Sequence, residues 1–304
     1  MSAGRQDKIL LLGGGGQLGR EVEQLARARG LSMTVATRET VDITHRLAVR
    51  SVIDQGYSLV INTAAFTAVD RAEMEEGRAL AVNRDGAGFV AEACRDTGAA
   101  LVHLSTDYVF DGTKGSAYVE TDPVSPLGVY GRSKAAGEDS VRQACPRHVI
   151  LRTSWVFGAQ GSNFVKTMLR LGRERGEVSV VADQLGCPTP ALGLATAVLA
   201  VAVSSSDDDW GTYHCCGNER TTWFDFAQAI FAEQSALTGE TAPKVHPIAT
   251  EDYPTAAKRP PDSTLDCLAF QARFRQQPID WRQGLRDVLR ELQGGRQVAS
   301  AGRA

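Results

Sequence analysis

A run of glycines close to the start constrains this chain more than any other feature. The apolar stretch Ile9–Leu12 ends in Gly13-Gly14-Gly15-Gly16-Gln17-Leu18-Gly19, and a helical pattern follows over 17–29. Gly13, Gly16 and Gly19 fit G-x-x-G-x-x-G between a strand and a helix. Each glycine has a separate task. Gly13 permits the tight strand-to-helix turn, Gly16 lets backbone approach a pyrophosphate without a Cβ in the way, and Gly19 lets the helix pack against the strand. The unpaired amides of the helix start then face the phosphates. A flexible glycine loop is the alternative, but the strand–turn–helix setting favours a dinucleotide site.

The rest of the first half repeats that texture. Short apolar runs at 33–36, 59–61, 100–104 and 149–151 alternate with helical patterns at 73–97 and 133–143. Buried strands separated by helices predict an α/β fold with a parallel sheet covered on both faces. Beyond residue 161 the pattern changes. Helices are expected over 164–175, 189–203, 222–237 and 281–292. A polar surface loop is expected at 204–209, an irregular Pro- and Thr-rich connection at 243–261, and a disordered tail over 294–304.

Composition excludes several classes. The 304 residues carry a net charge of −3, so no basic excess exists to neutralise nucleic acid. The start lacks a secretory apolar segment, and no run is long enough to cross a bilayer, which reads as cytoplasmic. None of the six cysteines forms C-x-x-C or stands at a metal spacing to histidine, so reduced, mostly buried thiols and no metal are expected.

Tyr130-Gly131-Arg132-Ser133-Lys134 puts a phenol and an ammonium one helical turn apart. A nearby cation favours the phenolate and lowers a pKa that is otherwise about 10. Lys134 could also hold a nicotinamide ribose. Upstream, Ser105-Thr106-Asp107 follows an apolar strand, at the sheet edge where open α/β sheets bind ligands. Thr106 offers a hydroxyl to Tyr130 or to a substrate oxygen; capping or turn formation is the bland alternative. The small residues after 61 permit close passage of a cofactor, or simply pack tightly. Arg38, at the end of the second strand, favours the ribose phosphate of NADPH, while Glu39 keeps NADH open. Asp42-Ile43 follow on the next loop, within reach of an adenine.

Taken together, these stretches resemble the dTDP-4-dehydrorhamnose reductases, within the extended short-chain dehydrogenase/reductases. The matching segments are the glycine turn, I-N-T-A-A-F-T-A-V-D-R-A-E (61–73), S-T-D-Y-V-F-D-G (105–112), V-Y-G-R-S-K-A-A-G-E (129–138) and L-R-T-S-W-V-F-G (151–158). N-F-V (163–165), V-A-D-Q-L-G-C-P-T (181–189) and K-R-P (258–260) complete the set. The resemblance implies a Rossmann-type doubly wound sheet over 1–160 and a smaller C-terminal sugar-nucleotide domain, mainly 161–293, with elements that interleave. It implies hydride transfer from NAD(P)H to carbon 4 of a dTDP-linked 4-keto-6-deoxy sugar, giving dTDP-L-rhamnose. Tyr130 would donate the proton, Lys134 would tune it and hold the ribose, and Thr106 would support it. Gly16, Gln17 and Leu18 would line the pyrophosphate. Asp42, Ile43, Ala64, Ala65, Phe66 and Thr67 would flank adenine and ribose. Thr106, Asp107, Trp155, Asn163 and Arg259 would meet the sugar nucleotide, with core packing as the alternative for Trp155 and a surface charge for Arg259. Phe66 stands where a polar or other aromatic residue is expected. Some relatives dimerise through acidic residues that bind Mg. Glu21 is the candidate acid here, but the ligand set is incomplete, so Mg and a homodimer stay open. The competing readings are a reductase of antibiotic sugars such as dihydrostreptose synthase, a nucleotide-sugar epimerase or dehydratase, and a non-catalytic regulatory subunit.

Overall fold

A computed structural model describes residues 8–204 and 209–301. Its strands are β1 (Ile9–Leu12), β2 (Met33–Ala36), β3 (Leu59–Asn62), β4 (Ala100–Thr106), β5 (His148–Thr153), β6 (Val156–Phe157), β7 (Glu177–Val181), β8 (Leu185–Gly186), β9 (Thr189–Pro190), β10 (Gly211–His214), β11 (Thr221–Thr222) and β12 (Lys244–Ile248). Its helices are α1 (Gln17–Ala28), α2 (Arg46–Ile53), α3 (Val69–Met74), α4 (Glu76–Leu80), α5 (Ala87–Thr97), α6 (Val129–Ala144), α7 (Phe164–Glu174), α8 (Ala191–Ser204), α9 (Trp223–Thr238), α10 (Leu268–Phe274) and α11 (Trp281–Ala301). A π-helical turn, Ala81–Gly86, joins α4 to α5.

Six strands form one sheet in the order β10-β5-β4-β3-β1-β2, every neighbouring pair parallel. From β1 the chain runs outward to β2, then crosses back to β3 on the other side. The carboxyl ends of β1 and β3 therefore diverge at a topological switch point, where a doubly wound sheet binds its ligand. Alternation along β1 covers both faces. Ile9 and Leu11 join α1 and α8 in one core, and Leu10 and Leu12 join α2, α5 and α6 in the other. A strand buried on both sides needs an unbroken apolar sequence, which is why I-L-L-L was legible.

The chain beyond residue 160 builds a second core from α7, α9, α11 and β7, where Phe157, Phe226 and Trp281 pack together. The two halves interleave: α8 and α10 pack on the first sheet, and β10 is its sixth strand. Lys244–Ile248, inside the segment expected to be irregular, is a strand pairing with β7. Its partly exposed K-V-H-P-I lacks the apolar run of a central strand, and Pro247 is tolerated because the strand lies at an edge. The final helix continues through Ala301, into the stretch expected as a tail, whereas 302–304 lie outside the described residues. Of the expected loop at 204–209, residues 205–208 also lie outside them; Asp209 is buried and ion-paired with Arg273. Among the described residues no helix is long and apolar enough to cross a membrane.

Candidate active site

The glycine turn is set by close approach. Gly13 has φ +83°, and a Cβ there would lie 2.5 Å from the amide of Ala64. A Cβ on Gly19 would run into the Gly13 carbonyl, and one on Gly14 into Val35. The amides of Gly13 and Gly14 both donate to Ala36 O, which ties the turn to β2. Gly16 caps α1 with no side-chain acceptor, and the first turn of α1 carries no acid. Those amides are free to meet an anion. Across the switch point, Thr63 donates through its amide and its hydroxyl to Leu12 O, and Asn62 accepts from the Ala64 amide. Ala64 and Ala65 thus stand beside the turn, half-buried, with Thr67 exposed.

The neighbouring residues divide unevenly. Arg38 is exposed beyond β2, its Nε 3.6 Å from Asp42, which also accepts from the Thr44 amide and hydroxyl. Those bonds hold Asp42 below the usual carboxylate range. Ile43 is a core side chain lying on Gly86. The Phe66 ring is buried among Ala72, Ala79 and Val129. Asn83, in the π-turn, holds the Phe66 backbone, accepting from its amide at 2.8 Å and donating to its carbonyl at 3.0 Å. It also donates to Ser133, which donates to Tyr130 O. Asn83 escaped the sequence reading; its only signal was a polar side chain directly after the apolar run Ala79-Leu80-Ala81-Val82.

Tyr130 lies on the first turn of α6, with Thr106, at the end of β4, as a side-chain neighbour. Burial pushes the phenol up to about 12, against the lowering influence of the Thr106 hydroxyl. The expected pull from Lys134 is not among the causes of this shift. Lys134 Nζ instead donates to Leu104 O at 2.5 Å, and burial lowers its pKa to about 8 while Glu138 holds it up. Behind Lys134, Glu138 is buried and accepts from Arg152 at 2.9 and 2.7 Å, from Ser105 at 2.5 Å and from Arg142 at 2.7 Å. This network clamps α6 to β4 and β5. Asp107 is buried too, accepting from Thr106 at 3.0 Å and from Ser263 at 2.5 Å; burial raises it to about 7.

The residues expected to meet a sugar nucleotide are each held by the fold. Trp155 has φ +45°, stacks on Trp223 at 3.4 Å, and lies against Gly186. A bulky residue in this region costs roughly 1–3 kcal/mol and persists where its surroundings over-determine it. Asn163 caps α7 and donates to Gln17 Oε1 at 2.7 Å, joining the glycine turn to the second core. Arg259 makes a bidentate pair with Asp70, both bonds 2.7 Å. Its segment closes over the phenol: Ala257, Lys258 and Pro260 line a narrow cleft with Tyr108 and Tyr130. A cavity of about 550 Å³ lies away from Tyr130, bounded by α8, α10 and α11. Glu21 and Glu291 line it, and burial with the Glu291 charge raises Glu21. Among the described residues no group of three metal-ligating side chains gathers, and all six cysteines are free.

The glycine turn at the switch point and the phenol–hydroxyl pair at the adjoining strand end define a class, the Rossmann-type oxidoreductases that work with a nicotinamide dinucleotide. The pattern described as RmlD substrate binding domain matches residues 7–294. A dTDP-4-dehydrorhamnose reductase of Aggregatibacter actinomycetemcomitans is 44% identical over 287 residues, 92% of this chain and 98% of that one. A protein of the same name from Streptomyces griseus is 39% identical, covering 97% of both. The solved dTDP-4-dehydrorhamnose reductase of Bacillus anthracis, in complex with NADP, superposes with a TM-score of 0.88 at 35% identity, over 94% of this chain and 99% of that one. The chain belongs to this family, the dTDP-4-dehydrorhamnose reductases. A Thermus thermophilus UDP-glucose 4-epimerase in complex with NAD shares the fold, with a TM-score of 0.78 at 23% identity.

Proposed function

We propose that this chain reduces the 4-keto group of a dTDP-4-dehydro-6-deoxy-L-hexose with NADPH, giving dTDP-L-rhamnose, in the cytoplasm. The observation that carries the reading is the Tyr130–Thr106 pair at the end of β4, beside a glycine turn built for a pyrophosphate. The turn fits a dinucleotide: side-chain-free backbone at 13–16, uncapped amides on α1 and no acid in its first turn. Gly13, Gly16, Gln17, Leu18 and Gly19 would hold the pyrophosphate. Arg38, Asp42, Ile43, Ala64, Ala65, Phe66 and Thr67 would flank the adenosine, with Ile43 and Phe66 contributing backbone. Arg38, exposed at the end of β2, favours the extra phosphate of NADPH over NADH. When bound, the nicotinamide supplies the hydride.

The side chains of this protein handle the proton. A phenol pushed up to about 12 stays protonated at neutral pH, the form a reduction needs. Tyr130 gives its proton to the sugar oxygen as charge develops there. Thr106 orients the phenol. Lys134, anchored on Leu104 O, would hold the ribose and bring positive charge to the site. Trp155 and Asn163 would bound the sugar. Arg259 and Asp107 would set its depth, with the 257–260 segment excluding water.

NADPH oxidation with dTDP-4-dehydro-L-rhamnose, followed by product identification, tests this. The wild type should consume one NADPH per sugar reduced. Tyr130→Phe should lose roughly 10²–10⁴-fold in turnover while still binding NADPH. Near-normal turnover in that variant rejects Tyr130 as the acid.

A further inference from the structure

The backbone beside the glycine turn is held by Thr63 on Leu12 O, by the Ala64 amide on Asn62 and by Phe66 on Asn83. Resting on the reading of 64–67 as a cofactor-binding segment, we propose that His103 is a positioning residue for NADPH. From inside the sheet it holds the Asn62 side chain, and through it the Ala64 backbone, in the orientation the cofactor meets.

The contacts fix the chemistry of each partner. Asn62 ends β3 and His103 lies opposite it on β4; the two are register partners in the parallel ladder, and both are 1% exposed. The Ala64 amide can only donate, and it donates to Asn62 Oδ1 at 3.1 Å. The Asn62 amino group therefore faces His103, 3.2 Å from Nδ1. An amino group also only donates, so Nδ1 is the acceptor and the ring proton sits on Nε2. Burial, with Lys134 and His148 nearby, holds His103 well below its ordinary pKa, so the ring stays neutral and Nδ1 keeps its lone pair.

An imidazole is an expensive side chain to place here. Its Nε2–H is buried and finds no partner among the described residues. A buried donor left without an acceptor destabilises a fold, and an apolar side chain would avoid that loss. What the imidazole supplies, and an apolar residue does not, is the Nδ1 acceptor. Without it the Asn62 amino group would be a second stranded donor, and nothing at this position would keep the Asn62 oxygen turned to Ala64. A carboxamide rotated by half a turn would set donor against donor at the Ala64 amide and dislodge that backbone. The segment has little slack: a Cβ on Gly13 would lie 2.5 Å from the Ala64 amide and 2.7 Å from Thr63 Oγ1. A small shift of Ala64 therefore reaches the turn that would hold the pyrophosphate.

Fluorescence titration of the full chain with NADPH, alongside steady-state kinetics and thermal melting, tests this. His103→Leu removes the acceptor. Its Kd and KM for NADPH should rise roughly tenfold, the scale of one lost hydrogen bond, while KM for the keto sugar and kcat at saturating NADPH stay within about twofold of wild type. His103→Asn puts Oδ1 about where Nδ1 stands and should bring the Kd back to within about threefold of wild type. Asn62→Ala should weaken NADPH at least as much as His103→Leu, and the double variant no further, because both remove one link. A Leu variant that melts lower but binds NADPH like wild type has lost a structural bond only, and overturns the proposal. Additive losses in the double variant overturn it too. Proton–nitrogen NMR of the wild type needs no substitution: the Nε2–H tautomer is expected, and a proton on Nδ1 refutes the assignment. A wild type that binds no NADPH brings down the cofactor reading and the positioning role together; one that binds it beside an unchanged Leu variant brings down the positioning role alone.

Discussion

Glu138 on α6 and Asp107 at the end of β4 are both buried carboxyls, and the fold treats them oppositely. Glu138 meets the guanidiniums of Arg152 and Arg142, and these with Ser105 hold it below the usual carboxylate range despite burial. Asp107 meets only hydroxyls and backbone amides, and burial carries it to about 7. Burial alone therefore does not set the charge of a carboxyl; the neighbours it is buried among do. A paired charge locks α6 against β4 and β5, whereas a carboxyl among neutral hydroxyls keeps its proton to higher pH.

The comparison can be broken at three points. The largest effect is expected for Glu138→Gln, which strands the buried Arg152 charge. Losing one partner of such a pair costs roughly 3–5 kcal/mol, read as a fall in the urea midpoint. A loss under about 1 kcal/mol would show that the pair contributes little to holding α6. Asp107→Asn should behave in the opposite sense. The folded wild type keeps the Asp107 proton up to about 7, while the unfolded chain releases it near 3.8. Folding is therefore penalised progressively as pH rises between those values. The Asn variant does not titrate, so its melting temperature relative to wild type should climb across that window and level off above it. A flat difference would mean that Asp107 is ionised in the folded state. The smallest effect belongs to Arg142→Ala. Its guanidinium is partly exposed and shares Glu138 with Arg152, so about 1 kcal/mol is expected, shrinking in high salt.

Much of the fold was legible because central parallel strands must be apolar on both faces. β1 to β5 announced themselves, and the glycine turn gave away the switch point. β10 and β12 did not. G-T-Y-H and K-V-H-P-I lie at sheet edges, partly exposed, and carry no unbroken apolar run. The candidate site was legible only in part: spacing put Tyr130 and Lys134 on one helix and Thr106 at a strand end, but did not show Lys134 turned to Leu104 O. It was not legible where partners come from afar. Asn83 reaches Phe66 across 17 positions, Ser263 reaches Asp107 across 156, and Arg259 reaches Asp70 across 189.

From its residues alone the chain determined a doubly wound parallel sheet, a glycine turn at its switch point, and a phenol and an ammonium one helical turn apart. Local geometry and hydrophobic period suffice for these. Only the tertiary structure decided which charges are paired, that Lys134 points to a carbonyl and leaves the phenol high, and that Asp107 lies among hydroxyls. A pKa is set by everything within a few ångströms, and most of those neighbours are far away along the chain.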